Sequence, residues 1–198
     1  SIYGLWDGPT TGVVSGRSAL VTQTLVNASA SGFRSVSSNK VCLKPTMPGC
    51  DASSPLTRGW LLDLASGGER VLFNPTIDAS ADLVVTSTAP GDFNACDTAG
   101  ATWFNRIRLL SGGSIEKPMF DTNRDKVVDT RDTVTSSSRV NGIRKGLVVL
   151  QPEACTGAGC QPPPCLATQS SNTGSVELGA TRCSSAPIGR LNWRELVR

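Results

Sequence analysis

The sequence predicts an all-β fold made of four-stranded antiparallel blades, a partial or modified β-propeller. Three observations point to it. Short runs rich in β-branched, apolar and aromatic residues recur between turns of Gly, Pro, Ser and Asp. Four such runs follow one another at hairpin spacing between Arg58 and Ile115, the content of one blade. The acidic stretch from Asp121 to Asp132 has no helix-forming sequence on either side. A β-sandwich built from the same hairpins is the competing architecture.

In chain order, Ile2 to Asp7 holds two aromatics and Leu5 before the break at Gly8-Pro9, so a strand is already under way near the start. The chain therefore reads as a fragment of something longer. Ser18 to Val26 is β-branched and apolar enough for a strand, with a short helix as the alternative, and Phe33 to Val41 reads as the next strand. The four blade strands are expected at Gly59–Leu64, Glu69–Asn74, Asp82–Thr88 and Thr102–Leu109. In the last of these, Ile107 and Leu109 alternate with Arg106 and Arg108, the period of a half-buried strand. Gly146–Leu150, Ser175–Leu178 and Gly189–Leu196 complete the set. Trp60, Trp103 and Trp193 fall within strands, where packing is their expected role.

Composition narrows the function classes. At 198 residues with 38% hydrophobic content, the chain can bury a core of its own. The net charge is only +3 and the basic residues are scattered, which argues against nucleic acid as a partner. No apolar run reaches the roughly 20 residues of a membrane-spanning helix. With no histidine, Ser-His-Asp and Cys-His chemistry are excluded, and no Gly-rich nucleotide loop is present, so no enzyme is expected. Seven cysteines without histidine or C-x-x-C spacing point to disulfides in an oxidising compartment rather than to zinc. Cys42 and Cys50 bracket a short loop that a local bridge would close. Cys155, Cys160 and Cys165 crowd a Gly/Pro-rich stretch where at least one local pairing is expected. The odd total leaves one thiol free or paired elsewhere.

The most informative stretch is Asp121-Thr122-Asn123-Arg124-Asp125-Lys126-Val127-Val128-Asp129-Thr130-Arg131-Asp132. Side-chain oxygens fall at loop positions 1, 3, 5, 9 and 12, the ligand spacing of a calcium loop of EF-hand type. Asp121, Asn123, Asp125 and Asp129 offer side-chain oxygens and Val127 its backbone carbonyl, a set of hard donors suited to Ca2+. Two residues depart from the pattern. Lys126 stands where glycine makes the sharp turn, and Asp132 replaces the bidentate Glu. Pro118 before the loop and the Ser-rich Thr133–Ser138 after it remove the flanking helices, leaving a calcium loop between β elements. Without a cation, the carboxylates of Asp121, Asp125 and Asp129 are expected to repel one another. A calcium-stabilised carbohydrate-binding domain or a quinoprotein-like propeller is the alternative reading.

Five motifs occur in order: Tyr3-Gly4-Leu5-Trp6-Asp7; Gly59-Trp60-Leu61-Leu62-Asp63-Leu64 with Gly68-Glu69-Arg70-Val71; Leu110-Ser111-Gly112-Gly113; the loop from Asp121; and Arg190-Leu191-Asn192-Trp193-Arg194-Glu195-Leu196. Together they resemble the C-terminal domain of the PilY/PilC family of type IV pilus biogenesis and tip-adhesin proteins. The resemblance implies that residues 1–198 are the C-terminal part of a modified propeller with a calcium loop at 121–132. It implies ligands at positions 1, 3, 5, 7 and 9, namely Asp121, Asn123, Asp125, Val127 and Asp129, with Asp132 outside the set. It also implies a role in pilus extension and retraction, twitching motility and surface attachment, with calcium occupancy controlling that balance. The implied partners are minor pilins and host or abiotic surfaces. The implied place is the pilus tip or outer membrane, reached through the periplasm, with only peripheral membrane association. The cysteine-rich stretch of about 154–183 matches none of the motifs and reads as a surface insertion.

Overall fold

The structure is a computed structural model that describes residues 1–8, 13–27, 32–65, 68–78, 80–90, 100–150, 165–171 and 176–181, with side chains up to Arg144. Among these residues there is no α-helix, only a 3-10 turn at Arg17–Ala19. The strands are β1 (Ile2–Leu5), β2 (Val21–Gln23), β3 (Leu25–Asn27), β4 (Phe33–Val36), β5 (Gly59–Leu62), β6 (Arg70–Val71), β7 (Thr76–Ile77), β8 (Asp82–Ala89), β9 (Ala101–Arg108), β10 (Ser137–Asn141), β11 (Arg144–Leu150), β12 (Cys165–Ser171) and β13 (Val176–Thr181). They form three sheets: β1-β5-β2; β3-β4-β10-β9-β8-β6 with β7 also on β8; and β11-β12-β13. The all-β expectation holds. The strand expected at Gly189–Leu196 lies outside the described residues, as do Cys155, Cys160 and Cys183. β12 and β13 fall within the stretch read as an insertion and pair antiparallel with the chain beside them.

The four runs expected to share one blade divide between two sheets. β6, β8 and β9 are neighbours, but β5 pairs antiparallel with β1 and parallel with β2. The cause is Trp60. All four residues of β5 are buried, so this strand needs cover on both faces. The Trp60 ring lies between two glycines. A β-carbon on Gly4 would fall 2.3 Å from the indole, and one on Gly112 would fall 2.2 Å from it. The indole Nε1–H donates to the Leu109 carbonyl at 3.0 Å. Three of the five sequence motifs, those around Gly4, Trp60 and Gly112, thus meet at one ring. Val36, Val41, Leu62 and Ile107 continue this core, with Ile2, Val21, Leu25, Leu43 and Leu83 packed against it.

The run from Ser18 to Val26 is interrupted at Thr24, where the chain passes from the first sheet to the second. Gln23, 1% exposed, secures the crossing. Its amide donates to the Asn39 and Ser111 carbonyls at 2.9 Å each and accepts from Ser37 Oγ at 2.6 Å and Asn39 N at 2.9 Å. Every polar atom of that buried amide has a partner, as burial requires. Cys42 and Cys50 are joined in the expected disulfide, their Cα atoms 5.9 Å apart.

The centre of the large sheet is polar. Arg34 on β4 makes two 2.9 Å hydrogen bonds to Glu69, whose Oε1 also accepts from Ser87 at 2.6 Å. Asn105 on β9 donates to Ser87 Oγ at 2.8 Å and to the Val85 carbonyl at 3.0 Å, and accepts from Ser137 Oγ at 2.8 Å. The Arg34 guanidinium also lies 3.6 Å from the Trp103 ring centroid, a close cation–π contact. Arg106, expected to face solvent, is instead largely buried against Asp78 and Asp82. β9 is a central strand, and the turn from β7 to β8 brings both carboxylates to its outer face.

Candidate functional site

The acidic loop leaves the fold at Phe120, whose ring tilts against Phe33 with centroids 6.5 Å apart, and returns into β10 at Ser137. Both ends are tied to the large sheet. Ser136 N donates to the Arg34 carbonyl at 2.8 Å, and Arg106 N donates to the Ser136 carbonyl at 2.7 Å. No helix flanks the loop, as Pro118 and the Ser-rich exit foretell.

Asp132 closes the loop. Its Oδ1 accepts from Thr122 N (2.7 Å), Thr122 Oγ1 (3.1 Å) and Asn123 N (3.2 Å), and its Oδ2 accepts from Asp129 N (2.9 Å). Thr122 Oγ1 in turn accepts from Thr133 N at 2.8 Å. The position-12 carboxylate therefore acts as a clamp on backbone N–H groups. Burial alone would raise the Asp132 carboxyl, but the hydrogen bonds from Asp129, Thr122 and Asn123 together outweigh it and hold it below the ordinary value.

The five expected ligands share this loop. Asp121 Oδ1 accepts from Asp125 N at 3.2 Å and Oδ2 from Lys126 N at 2.8 Å. Asn123 Oδ1 accepts from Asp125 N at 2.9 Å, and Asp125 Oδ1 accepts from Val127 N at 2.8 Å. Among the described residues, the Val127 carbonyl takes no hydrogen bond. Asp125 and Asp129 face Arg131, whose Nη2 lies 3.0 Å from Asp125 Oδ2 and 2.8 Å from Asp129 Oδ2. The hydrogen bond from the Arg131 side chain leads the effects that hold the Asp129 carboxyl below its usual range. Arg131 is the residue that sequence reasoning missed. It supplies an internal cation where mutual repulsion of the aspartates was expected, and its only sequence signal is its place two residues after Asp129.

As the side chains stand, no three Asp, Glu, Cys or His groups among the described residues form a ready metal cage. The donor chemistry nonetheless fits calcium. Three carboxylates, an amide oxygen and a free carbonyl are all hard oxygens, and the loop makes its sharp turn without glycine. Lys126 adopts φ 68° and Arg124 φ 64°, in the left-handed region that the position-6 glycine normally supplies. The Arg131 side chain is 65% exposed, so its hold on Asp125 and Asp129 is a weak surface pairing.

No protein-family model matches the chain, and no curated protein matches it. Among solved structures it is similar to the crystal structure of the Pseudomonas aeruginosa PilY1 C-terminal domain, with a TM-score of 0.56 and 22% sequence identity. The match covers 90% of this chain and 36% of that one, so the chain spans about a third of that domain's length. The likeness is one of fold. No helix among the described residues is long and apolar enough to cross a membrane.

Proposed function

We propose that this chain is part of a modified β-propeller domain of a non-enzymatic type IV pilus biogenesis factor and tip adhesin, and that its acidic loop binds calcium. The observation that carries the reading is the fold likeness to the PilY1 C-terminal domain over 90% of the chain, because the five motifs resemble the same family. In this reading Asp121, Asn123, Asp125 and Asp129 hold the ion through side-chain oxygens and Val127 through its carbonyl. Bound calcium supplies the positive charge that Arg131 supplies in its absence. Arg131 then turns to solvent, while Asp132 and Thr122 keep the ends of the loop pinned. The affinity expected of an extracellular module of this kind is roughly 10⁻⁴ to 10⁻³ M. The module works at the pilus tip or outer membrane with minor pilins and a host or abiotic surface as partners, and its calcium state biases pilus extension against retraction.

Calorimetry and pilus counts test this together. Asp125→Ala abolishes calcium binding while changing stability by less than about 0.5 kcal/mol, because the pair it loses is partly exposed. Asp129→Lys replaces one ligand with an ammonium near the ion position and mimics part of the bound state. Surface pilus numbers in the two strains move in opposite directions. Undiminished calcium affinity in Asp125→Ala rejects the site, and equal pilus counts in both variants reject the switch.

A further inference from the structure

Beside the acidic loop, and distinct from its ligands, lies an open cleft of about 300 Å³ lined by Gly32, Phe33, Arg124, Arg139 and Asn141. We propose that this cleft is an oxyanion-binding site in which the Arg124 and Arg139 guanidinium groups and the Asn141 amide hold a carboxylate or phosphate group.

Three features carry the assignment. The first is charge without a partner. Arg131 is committed to Asp125 and Asp129, and Arg34 to Glu69, whereas among the described residues neither the Arg124 nor the Arg139 side chain makes a hydrogen bond or an ion pair. Among the described residues that line the cleft, none is acidic. Two like charges facing one concavity disfavour each other, and an anion between them relieves both.

The second feature is placement. Arg139 and Asn141 are two residues apart on β10, so they share one face of the strand, and their Cα partners on β9 are Trp103 and Ala101. β4 pairs with β10 only at Ser137 and Ser138, which leaves the outer end of β10 bordering the cleft. The Arg139 N–H donates to the Gly32 carbonyl at 2.8 Å, fixing the backbone on that side.

The third is that Arg124 is presented by a pinned turn. Its neighbours are held on both sides, by Asn123 N to Asp132 and by Asp125 N to Asp121 and Asn123. Its own φ of 64° is one that L side chains rarely adopt. A guanidinium is the side chain best suited to two-point recognition of a planar or tetrahedral oxyanion. Both arginines are solvent-exposed, so binding is expected to be modest and sensitive to salt.

The test is isothermal calorimetry with backbone amide NMR on the full chain in calcium-free buffer, using inorganic phosphate and glucuronate as separate probes. Saturable binding is expected, with the largest shifts at Arg124, Arg139 and Asn141. Tighter binding of phosphate would point to a phosphoryl ligand, and tighter binding of glucuronate to an acidic saccharide. Arg139→Gln and Arg124→Gly should each weaken the preferred probe about tenfold, and Arg131→Gln should leave it within about twofold. Arg124→Gly suits the left-handed backbone and therefore keeps the fold. Arg139→Lys retains the charge without the fork and should fall between wild type and Arg139→Gln. The proposal is overturned if neither probe saturates, or if Arg124→Gly and Arg139→Gln bind as well as wild type. Asp125→Ala leaves this site intact, so the outcome is independent of calcium binding.

Discussion

Glu69 and Asp132 are both buried carboxylates that accept several hydrogen bonds, but their partners differ in kind. Glu69 is held by a charged side chain, Arg34, 35 residues away, and by Ser87, 18 residues away. Asp132 is held by Thr122, Asn123 and Asp129, all within ten residues and mostly through backbone N–H groups. The first arrangement joins β4, β8 and the segment before β6, so it belongs to the global fold. The second organises one loop and leaves its remaining carboxylates near the surface, where a cation can reach them. Long-range ion pairing builds the frame, and short-range amide pairing shapes the loop set into it.

That contrast can be broken most directly at Glu69. Glu69→Ala leaves Arg34 buried with its charge uncompensated, which costs about 3–5 kcal/mol. Urea unfolding should show this as a lowered midpoint of one cooperative transition. Asp132→Ala orphans three backbone N–H groups and a hydroxyl at the edge of the fold, at about 1–3 kcal/mol. Hydrogen exchange at Thr122, Asn123 and Asp129 should accelerate far more in this variant than exchange in β8 and β9. If Asp132→Ala destabilises the whole chain as much as Glu69→Ala does, the loop is not a separate module.

Acid sharpens the same comparison. The Glu69 carboxyl is pushed up by burial, but its bonds to Arg34 and Ser87 outweigh that and hold it below the ordinary value, as Asp129 and Asp132 are also held. A carboxyl with a depressed folded pKa contributes fully above its unfolded value, near 4, and loses that contribution as pH falls through the folded value. Stability should therefore drop below about pH 4, with loop amides and sheet amides exchanging faster together. Asp82 works in the opposite sense. Burial raises it, so its protonation on the same descent favours the folded state and softens the loss. A titration monitored by circular dichroism that stays flat to pH 2 would contradict the assignment.

The smallest effect is expected at Lys126. Lys126→Gly relieves a left-handed side-chain position while adding freedom to the unfolded chain, so the net gain is at most about 1 kcal/mol. The same change removes a cation beside the ligand set, and calorimetry should find calcium bound more tightly. An unchanged affinity would mean that the turn already has its optimal shape.

Residue order alone determined what depends on neighbours along the chain. The alternating oxygens of Asp121–Asp132, the Cys42–Cys50 bridge, the absence of flanking helices and the β character of most segments are local properties, set by spacing and by backbone preference. The ladder partners were decided by tertiary structure, because a strand pairs where its faces find cover. β5 lies between β1 and β2, with Gly4 on β1 leaving room for the Trp60 ring and Gly112, after β9, covering the ring from the large sheet. The Ser-rich exit from the loop gave no strand signal, since serine is a weak strand former, yet Ser137–Asn141 became β10 between β4 and β9, with the Ser137 hydroxyl meeting Asn105. Arg106 looked solvent-facing by alternation and was buried when Asp78 and Asp82 folded over it. Within the loop, sequence named the oxygens but not their targets. That Asp132 clamps amides while Arg131 pairs with Asp125 and Asp129 depends on where the turn at Arg124 and Lys126 sends each side chain, and that direction exists only once the backbone is folded.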